Sequence, residues 1–403
     1  MQLFDRVKGM LIGGAYGDAA GVPDEFHRLP PRLEGQFLEF RSRGLVMRRR
    51  FQPTVALAPG QYSDDTEMHL SLIYSMIESG GYDRIRAANW YIRWANSETP
   101  LRGKNTTMLF KNNSEKKDGP RGVPIKHETY ASRFRKAFGV EALAPPFSVT
   151  SEAAEMQQSN GALMRCGALA LLGHGTRVDV RAILEDVWIT NPSKICAIAE
   201  IYLVQAIKLA FHHTSPSMIW DSLQTIDIPD IFKDHLEPIR SVFAEVTAGN
   251  YRPRYMLKTE VPPDGIHRKG WVLVPFHLAM AALHAISVVE NGIPVDEALQ
   301  KKVIETFPRG CGFNEVITWV VSLGGDTDTN ATIVGYLIGA INGFSKMSED
   351  ALFRINLDVL MESTLPMSLT TVPRGPEFRL DSDERINYLV TSLIAVANAA
   401  TYA

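Results

Sequence analysis

Residues 321–343 read VSLGGDTDTNATIVGYLIGAING. Its second half is apolar at helical spacing and predicts a helix over 329–342. The small residues inside it allow a neighbouring backbone to approach closely. The same Ala- and Gly-rich texture returns in GALMRCGALALLG at 161–173. Outward from these two segments, helical periodicity marks 5–15, 66–78, 84–95, 161–172 and 193–211, then 276–289, 295–306, 314–322 and 384–398. Strand-like alternation is confined to 270–274. The expectation is an all-α chain packed as a tight helical bundle.

The 403 residues would accommodate two or three average domains. Two polar stretches, 97–158 and 214–269, are rich in Gly and Pro breaks, as in KNNSEKKDGPRGVP and VPPDGIHRKG. They read as insertions or lids without a core of their own, so a single domain over 1–403 is expected. With 45% hydrophobic and 22% charged residues the chain has the balance of a globular protein, which excludes disorder and collagen-like repeats. Its 42 basic and 45 acidic side chains give a net charge of -3. No global attraction to nucleic acid or anionic membrane follows from that charge.

Cys166, Cys196 and Cys311 form no CxxC pair, which fits a reducing, cytoplasmic setting. The apolar run near the amino terminus is flanked by Asp5 and Asp18, and 195–211 contains Glu200, Gln205 and Lys208. Neither a secretory leader nor a membrane span is therefore expected.

Chemistry concentrates in acidic clusters. Ser63-Asp64-Asp65-Thr66 stands where a Pro/Gly loop meets a helix, and Asp64 with Glu67 has capping-box spacing. Capping accounts for one carboxylate; the second repels it unless a cation lies between them. Asp326, Asp328 and Thr329 follow Gly324-Gly325 and offer hard oxygen donors, which suit Mg2+, Mn2+ or Ca2+ rather than zinc. DTDTN also resembles the start of aspartate-based phosphatases, but it follows a helical run late in the chain rather than an apolar strand.

GMLIGGAYGDAAGVPDEF, YSDDTEMHL, SNGALMR and VSLGGDTDTNATIVGYLIGAING, between about residues 8 and 343, together resemble the ADP-ribosylglycohydrolase family in kind and order. The relation extends to dinitrogenase reductase-activating glycohydrolases and ADP-ribosyl-acceptor hydrolases. The resemblance implies a compact orthogonal all-α bundle with two divalent cations, Mg2+ or Mn2+, that cleaves the bond between a ribose and its acceptor. It assigns the metals to Ser63, Asp64, Asp65, Asp326, Asp328 and Thr329, with one carboxylate bridging. Glu25, with Asp64 or Asp65 as alternatives, is the implied catalytic acid/base. Gly17, Asp18, Ser159, Asn160, Gly161 and Asn191 fall where the family meets its substrate. Two metals about 3.5–4 Å apart suit an oxocarbenium-like glycosidic transition state.

Three departures bear on the substrate. Met156-Gln157-Gln158 replaces a Gly-rich segment, Thr190-Asn191 replaces a Thr-His pair, and 94–107 lacks an acidic residue found in some members. ADP-ribose on a modified acceptor such as a protein is the expected substrate. A nucleosidase acting on a smaller N-ribosyl compound and a catalytically silent binding member are the alternatives. Among other residues, His277 and His284 read as core histidines and His212-His213 as a helix end. Arg41, Arg43, Arg48, Arg49 and Arg50 read as a solvated loop, while Tyr62, Trp94 and Tyr130 are candidates for stacking on a base.

Overall fold

The first helix of the computed structural model, α1 (Gln2–Gly21), runs antiparallel to α14 (Thr327–Met347), and glycine makes this pairing possible. A Cβ at Gly9 would fall 2.3 Å from the Gly339 carbonyl oxygen, and one at Gly13 2.4 Å from that of Gly335. The same spacing continues to Gly17, where a Cβ would lie 2.1 Å from the Ala331 oxygen, and to Gly21, against the Asp328 backbone. One small residue per helical turn on each partner thus lets the backbones touch. The carboxyl end of α1 is thereby set beside the amino end of α14.

The structure describes residues 2–26, 39–41, 46–47, 56–97, 99, 102–111, 127–254, 270–290, 297–363 and 374–400. Around the central pair lie α2 (Asp64–Ser79), α3 (Arg84–Ala95), α4 (Lys104–Phe110), α5 (His127–Phe138), α6 (Glu152–Glu155), α7 (Val180–Thr190) and α8 (Lys194–Phe211). The later helices are α9 (Pro216–Gln224), α10 (Glu237–Thr247), α11 (Leu273–Glu290), α12 (Glu297–Thr306), α13 (Phe313–Ser322), α15 (Ala351–Ser363) and α16 (Asp383–Ala400). A two-residue antiparallel ladder pairs Val46 with Leu57 and Met47 with Ala56. The fold is all-α, as expected from periodicity.

Local chemistry places many of the ends. Asp83, Asp179 and Ser215 accept backbone N–H bonds at the starts of α3, α7 and α9, and Pro216 occupies the first turn of α9. Gly80, at φ 65°, closes α2 in the left-handed conformation. The buried apolar residues form one continuous core from Val7 to Val396. By length and composition α11 could cross a membrane, yet 89% of it is buried inside the molecule.

Three expectations need correction. The 97–158 and 214–269 stretches contain helices that enter the core: Tyr130, Phe134 and Phe138 of α5 are buried, as are Ile219, Phe232, Ile239 and Val246. Residues 161–172 form a 3-10 helix, Leu163–Leu171, rather than an α-helix. Residues 270–274 give only a bridge from Trp271 to Ser159 before α11 begins. Parts of both polar stretches, 112–126 and 255–269, lie outside the described residues.

Candidate metal centre and active site

Two groups of carboxylates meet where α1, α2 and α14 converge. Ligand oxygens of Asp18, Asp65 and Asp328 lie within 4.8 Å of one another, and so do those of Glu25, Asp326 and Asp328. Asp328 belongs to both. Asp18 and Asp328 owe their closeness to the glycine contact of α1 with α14, whose register Thr327 fixes by donating its hydroxyl to the Gly21 carbonyl at 2.7 Å. Beyond α1, Pro23 opens the short 3-10 helix Val22–Asp24, and Phe26 N–H donates to the Gly325 carbonyl at 2.8 Å. That bond holds Glu25 against the Gly324–Gly325 turn. Phe26 adopts φ 53°, an uncommon conformation for a side chain of its size.

Asp18 caps α2 from another helix. Its Oδ1 accepts from Ser63 N–H at 2.9 Å, and its Oδ2 accepts from Thr66 N–H at 3.0 Å and the Thr66 hydroxyl at 2.7 Å. The start of α2, and with it Asp65, is thereby fixed relative to α1. The Ser63 hydroxyl donates to Asp65 Oδ2 at 3.1 Å, and Thr329 N–H donates to Asp328 Oδ1 at 2.9 Å. Burial, then the charge of Asp328, raises the Asp18 pKa to about 7 despite the bonds from Thr66 and Ser63. Asp65 is pushed well above the usual carboxylate range by burial, then by Asp18, Asp328, Asp64 and Asp326.

The buried Asp65 Oδ1 has no hydrogen-bond partner, and among the described residues neither Asp18 nor Asp65 forms an ion pair. Clustered carboxylates with an orphaned oxygen are the donor set of a hard divalent cation. Asp18, Asp65 and Asp328 would hold one ion, and Glu25, Asp326 and Asp328 a second. The residues present therefore fit such a centre.

A model of the family described as ADP-ribosylglycohydrolase matches residues 1–375. The chain belongs to the ADP-ribosylglycohydrolase family. It is 25% identical over 347 residues to a putative ADP-ribosyl glycohydrolase, L543, of Acanthamoeba polyphaga mimivirus, covering 83% of this chain and 86% of that one. Over 93 residues it is 37% identical to the ADP-ribosylarginine hydrolase Tri1 of Pseudomonas putida (strain GB-1), covering 23% of this chain and 22% of the relative. A solved structure titled ADP-ribosylglycohydrolase-related protein complex shares the fold with a TM-score of 0.57 at 19% identity, over 98% of this chain and 99% of that one. Family membership supports a glycohydrolase acting on ADP-ribose conjugates, in a family that uses divalent metals.

The family's motif residues are brought to this centre unevenly. Asp65, Asp326, Asp328 and Glu25 converge, and Asp18 joins them as a buried acid and helix cap. Asp64 belongs to neither close group; its Oδ2 accepts from Gly103 N–H at 3.1 Å. Asp64 is already the first residue of α2, with Ser63 at the N-cap, so the capping box of Asp64 with Glu67 does not form. Gly17 is a packing residue, filled against Ala331. Asn160 reaches the site directly, donating its amide to Asp326 Oδ2 at 2.9 Å. Ser159 and Gly161 flank it in the same turn, and a Cβ at Gly161 would lie 3.5 Å from Asn191 Oδ1. Asn191 is buried behind that turn, its amide donating to the Ser159 and Gln157 carbonyls and the Ser159 hydroxyl.

The three stacking candidates are core residues. The Tyr62 hydroxyl donates to the Phe378 carbonyl, Tyr130 to that of Ile189, and Trp94 Nε1 to Glu67 Oε2. His277 and His284 are buried, as their helix position implied, with Nε2 and Nδ1 against the Asn250 carbonyl and the Tyr251 hydroxyl. Arg41 pairs with Glu362, whereas Arg43, Arg48, Arg49 and Arg50 lie outside the described residues.

Three residues that support the site, Glu67, Arg374 and His69, did not show that role in the sequence, and Glu67 read there as a capping partner. Glu67 forms a buried ion pair with Arg374, at 2.5 and 2.8 Å, and accepts from Trp94 and Thr99. Arg374 also donates to the Ser97 carbonyl at 2.7 Å, anchoring the approach to Gly103. His69, one turn beyond Asp65, accepts from Ala168 N–H at 3.1 Å, and burial lowers its pKa to about 3. The signal for His69 was its i+4 spacing from Asp65 on one helix face; Arg374 carried no signal.

Proposed function

We propose that the protein is a divalent-metal-dependent glycohydrolase that cleaves the bond at the anomeric carbon of an ADP-ribosyl unit attached to an acceptor. The observation that carries this reading is Asp328, shared by two groups of acids on the pattern of a binuclear centre. All the gathered ligands are carboxylates, which favours Mg2+ or Mn2+. When bound, the cations supply positive charge that orients ribose hydroxyls and acidifies the attacking water.

The chain's own residues do the rest. Glu25, partly exposed at the edge of its group, takes the proton from water. Asp65 and Asp18, buried beneath, supply negative charge toward the oxocarbenium-like transition state. Asp64 is the alternative base, and Ser63 and Thr329 contribute hydroxyls beside Asp65 and Asp328. Asn160 fixes one face of Asp326 and, with Ser159 and Gly161, lines the approach for the substrate. The preserved acid set argues against a silent binding member. Three free cysteines, two of them buried, suit a reducing cytoplasmic compartment.

The test is turnover of a panel comprising ADP-ribosylated peptides, free ADP-ribose derivatives and nucleosides, with products read by mass spectrometry. Release of ADP-ribose that chelator abolishes and Mg2+ or Mn2+ restores is the expected result. Full activity in excess chelator would overturn metal dependence, and cleavage of nucleosides alone would move the substrate to the smaller N-ribosyl class.

A further inference from the structure

Behind the turn that carries Asn160 lies a buried charge that touches none of the clustered acids. Arg165 is wholly buried and pairs through Nε with Asp186 Oδ2 at 2.9 Å, while its Nη2 donates to the Asp186 carbonyl at 2.9 Å. Tyr91 donates its hydroxyl to the other Asp186 oxygen at 2.8 Å, and its ring lies 4.5 Å from the guanidinium carbon. The remaining Arg165 nitrogen, Nη1, faces the turn. It donates to the Gly161 carbonyl at 2.8 Å and to the Thr190 hydroxyl at 2.9 Å.

Thr190 passes the contact onward. Its hydroxyl donates to Asn191 Oδ1 at 2.8 Å, which leaves the Asn191 amide hydrogens aimed at the turn. They reach the Ser159 carbonyl at 3.0 Å and the Ser159 hydroxyl at 2.8 Å. The outer side of the turn is held by Gly270, whose carbonyl accepts from Asn160 N–H at 2.9 Å. Gripped on both sides, Asn160 presents its side-chain amide to Asp326 Oδ2 at 2.9 Å. Buried and part-buried hydrogen bonds thus run from an ion pair between helices to the 159–161 turn, whose backbone carries the link on to Asn160 and so to one carboxylate of the acidic centre.

We propose that Arg165, acting through Thr190 and Asn191, is a positioning residue for Asp326: it fixes the 159–161 turn so that Asn160 holds this carboxylate in the orientation a divalent cation requires. The inference rests on the reading of the acidic groups as a binuclear site. Planar guanidinium suits the role, because its fork engages Asp186, Thr190 and Gly161 at once in fixed directions. Partners behind a ligand typically change metal affinity by about 10–100-fold when removed. The arrangement is also lopsided. It reaches the Glu25, Asp326 and Asp328 group, whereas Asp18 lies on α1 and holds Asp65 through the start of α2, so only one of two ions should respond.

The experiment is calorimetric Mn2+ titration of the purified full chain, alongside Mn2+ electron paramagnetic resonance and circular dichroism. Thr190→Val keeps the volume but deletes the hydroxyl; Thr190→Ser restores it. Asn191→Ala cuts the next link and keeps the test decisive should the valine variant not fold. The expected result is wild-type binding of two ions, with one affinity lowered about tenfold or more in Thr190→Val and Asn191→Ala, the other retained, and Thr190→Ser near wild type. Folded variants that bind both ions as the wild type does, or a serine variant no better than valine, would overturn the inference and leave the metal site standing. A wild type that binds no Mn2+ would overturn the underlying reading and this inference with it.

Discussion

Asp328 and Glu25 share one acidic group, but they stand in it differently. Asp328 is buried and common to both groups, whereas Glu25 belongs to one and is partly exposed. Asp328→Ala should therefore lower Mn2+ affinity at both sites and turnover together, whereas Glu25→Gln, which keeps an oxygen donor for its one ion, should weaken Mn2+ binding less while turnover falls about 10²–10⁴-fold, the usual worth of a general base. Mn2+ titration beside a rate assay separates the two; a fully active Glu25→Gln protein would pass the base role to Asp64 or Asp65. Glu67 belongs to stability instead. Glu67→Gln leaves the Arg374 guanidinium buried without its carboxylate, and denaturant unfolding should show a loss of about 3–5 kcal/mol. A loss below about 1 kcal/mol would mean that Ser97 and the Phe378 ring, which lies 5.1 Å from the guanidinium carbon, suffice for Arg374. The acids Asp65, Asp326 and Asp328 were legible because repelling carboxylates side by side have few structural uses. Glu67 was misread as a capping residue because its partner lies 307 positions away, a separation at which local spacing carries no information.

At the scale of elements, the contact of α1 with α14 assembles the centre. Gly17→Ala places a methyl 2.1 Å from the Ala331 oxygen, so the helices must part. Overpacking of this kind costs about 1–3 kcal/mol, and it should weaken Mn2+ binding as well, because Asp18 and Asp328 come from the two helices being separated. Gly81→Ala, with nothing within 4 Å of the added carbon, is the control and should stay within about 0.5 kcal/mol. Equal metal affinity in both variants would show that the acids do not depend on this contact. The helices with broad apolar faces were legible in the sequence, and 84–95 matches α3 end to end. The misses have a physical cause. α5 buries a single stripe, Tyr130, Phe134 and Phe138, on an otherwise charged helix, so its average composition looks like a loop. Residues 163–171 carry helical periodicity, which does not distinguish 3-10 from α winding over so short a run.

For the whole molecule, the acidic centre opposes its own fold unless a cation is present. Asp18 titrates near pH 7 and Asp65 higher than an ordinary carboxylate, burial being the first cause for both. Their native pKa values lie above the unfolded ones, so between about pH 4 and 7 the native state holds more protons than the unfolded chain, and the stability these groups contribute falls as pH rises through that window. A divalent cation needs the deprotonated form and gains where protons leave. The Mn2+-induced rise in melting temperature should thus be small at pH 5 and larger at pH 8; an equal rise at both would contradict a centre built on these two acids. One carboxylate, Asp328, joins the two acid groups into a single centre that would hold two cations. Anomalous diffraction at the manganese edge, on crystals grown with Mn2+, would locate the ions. Two peaks are expected, one between Asp18, Asp65 and Asp328 and one between Glu25, Asp326 and Asp328; peaks elsewhere, or none at Asp328, would contradict that arrangement.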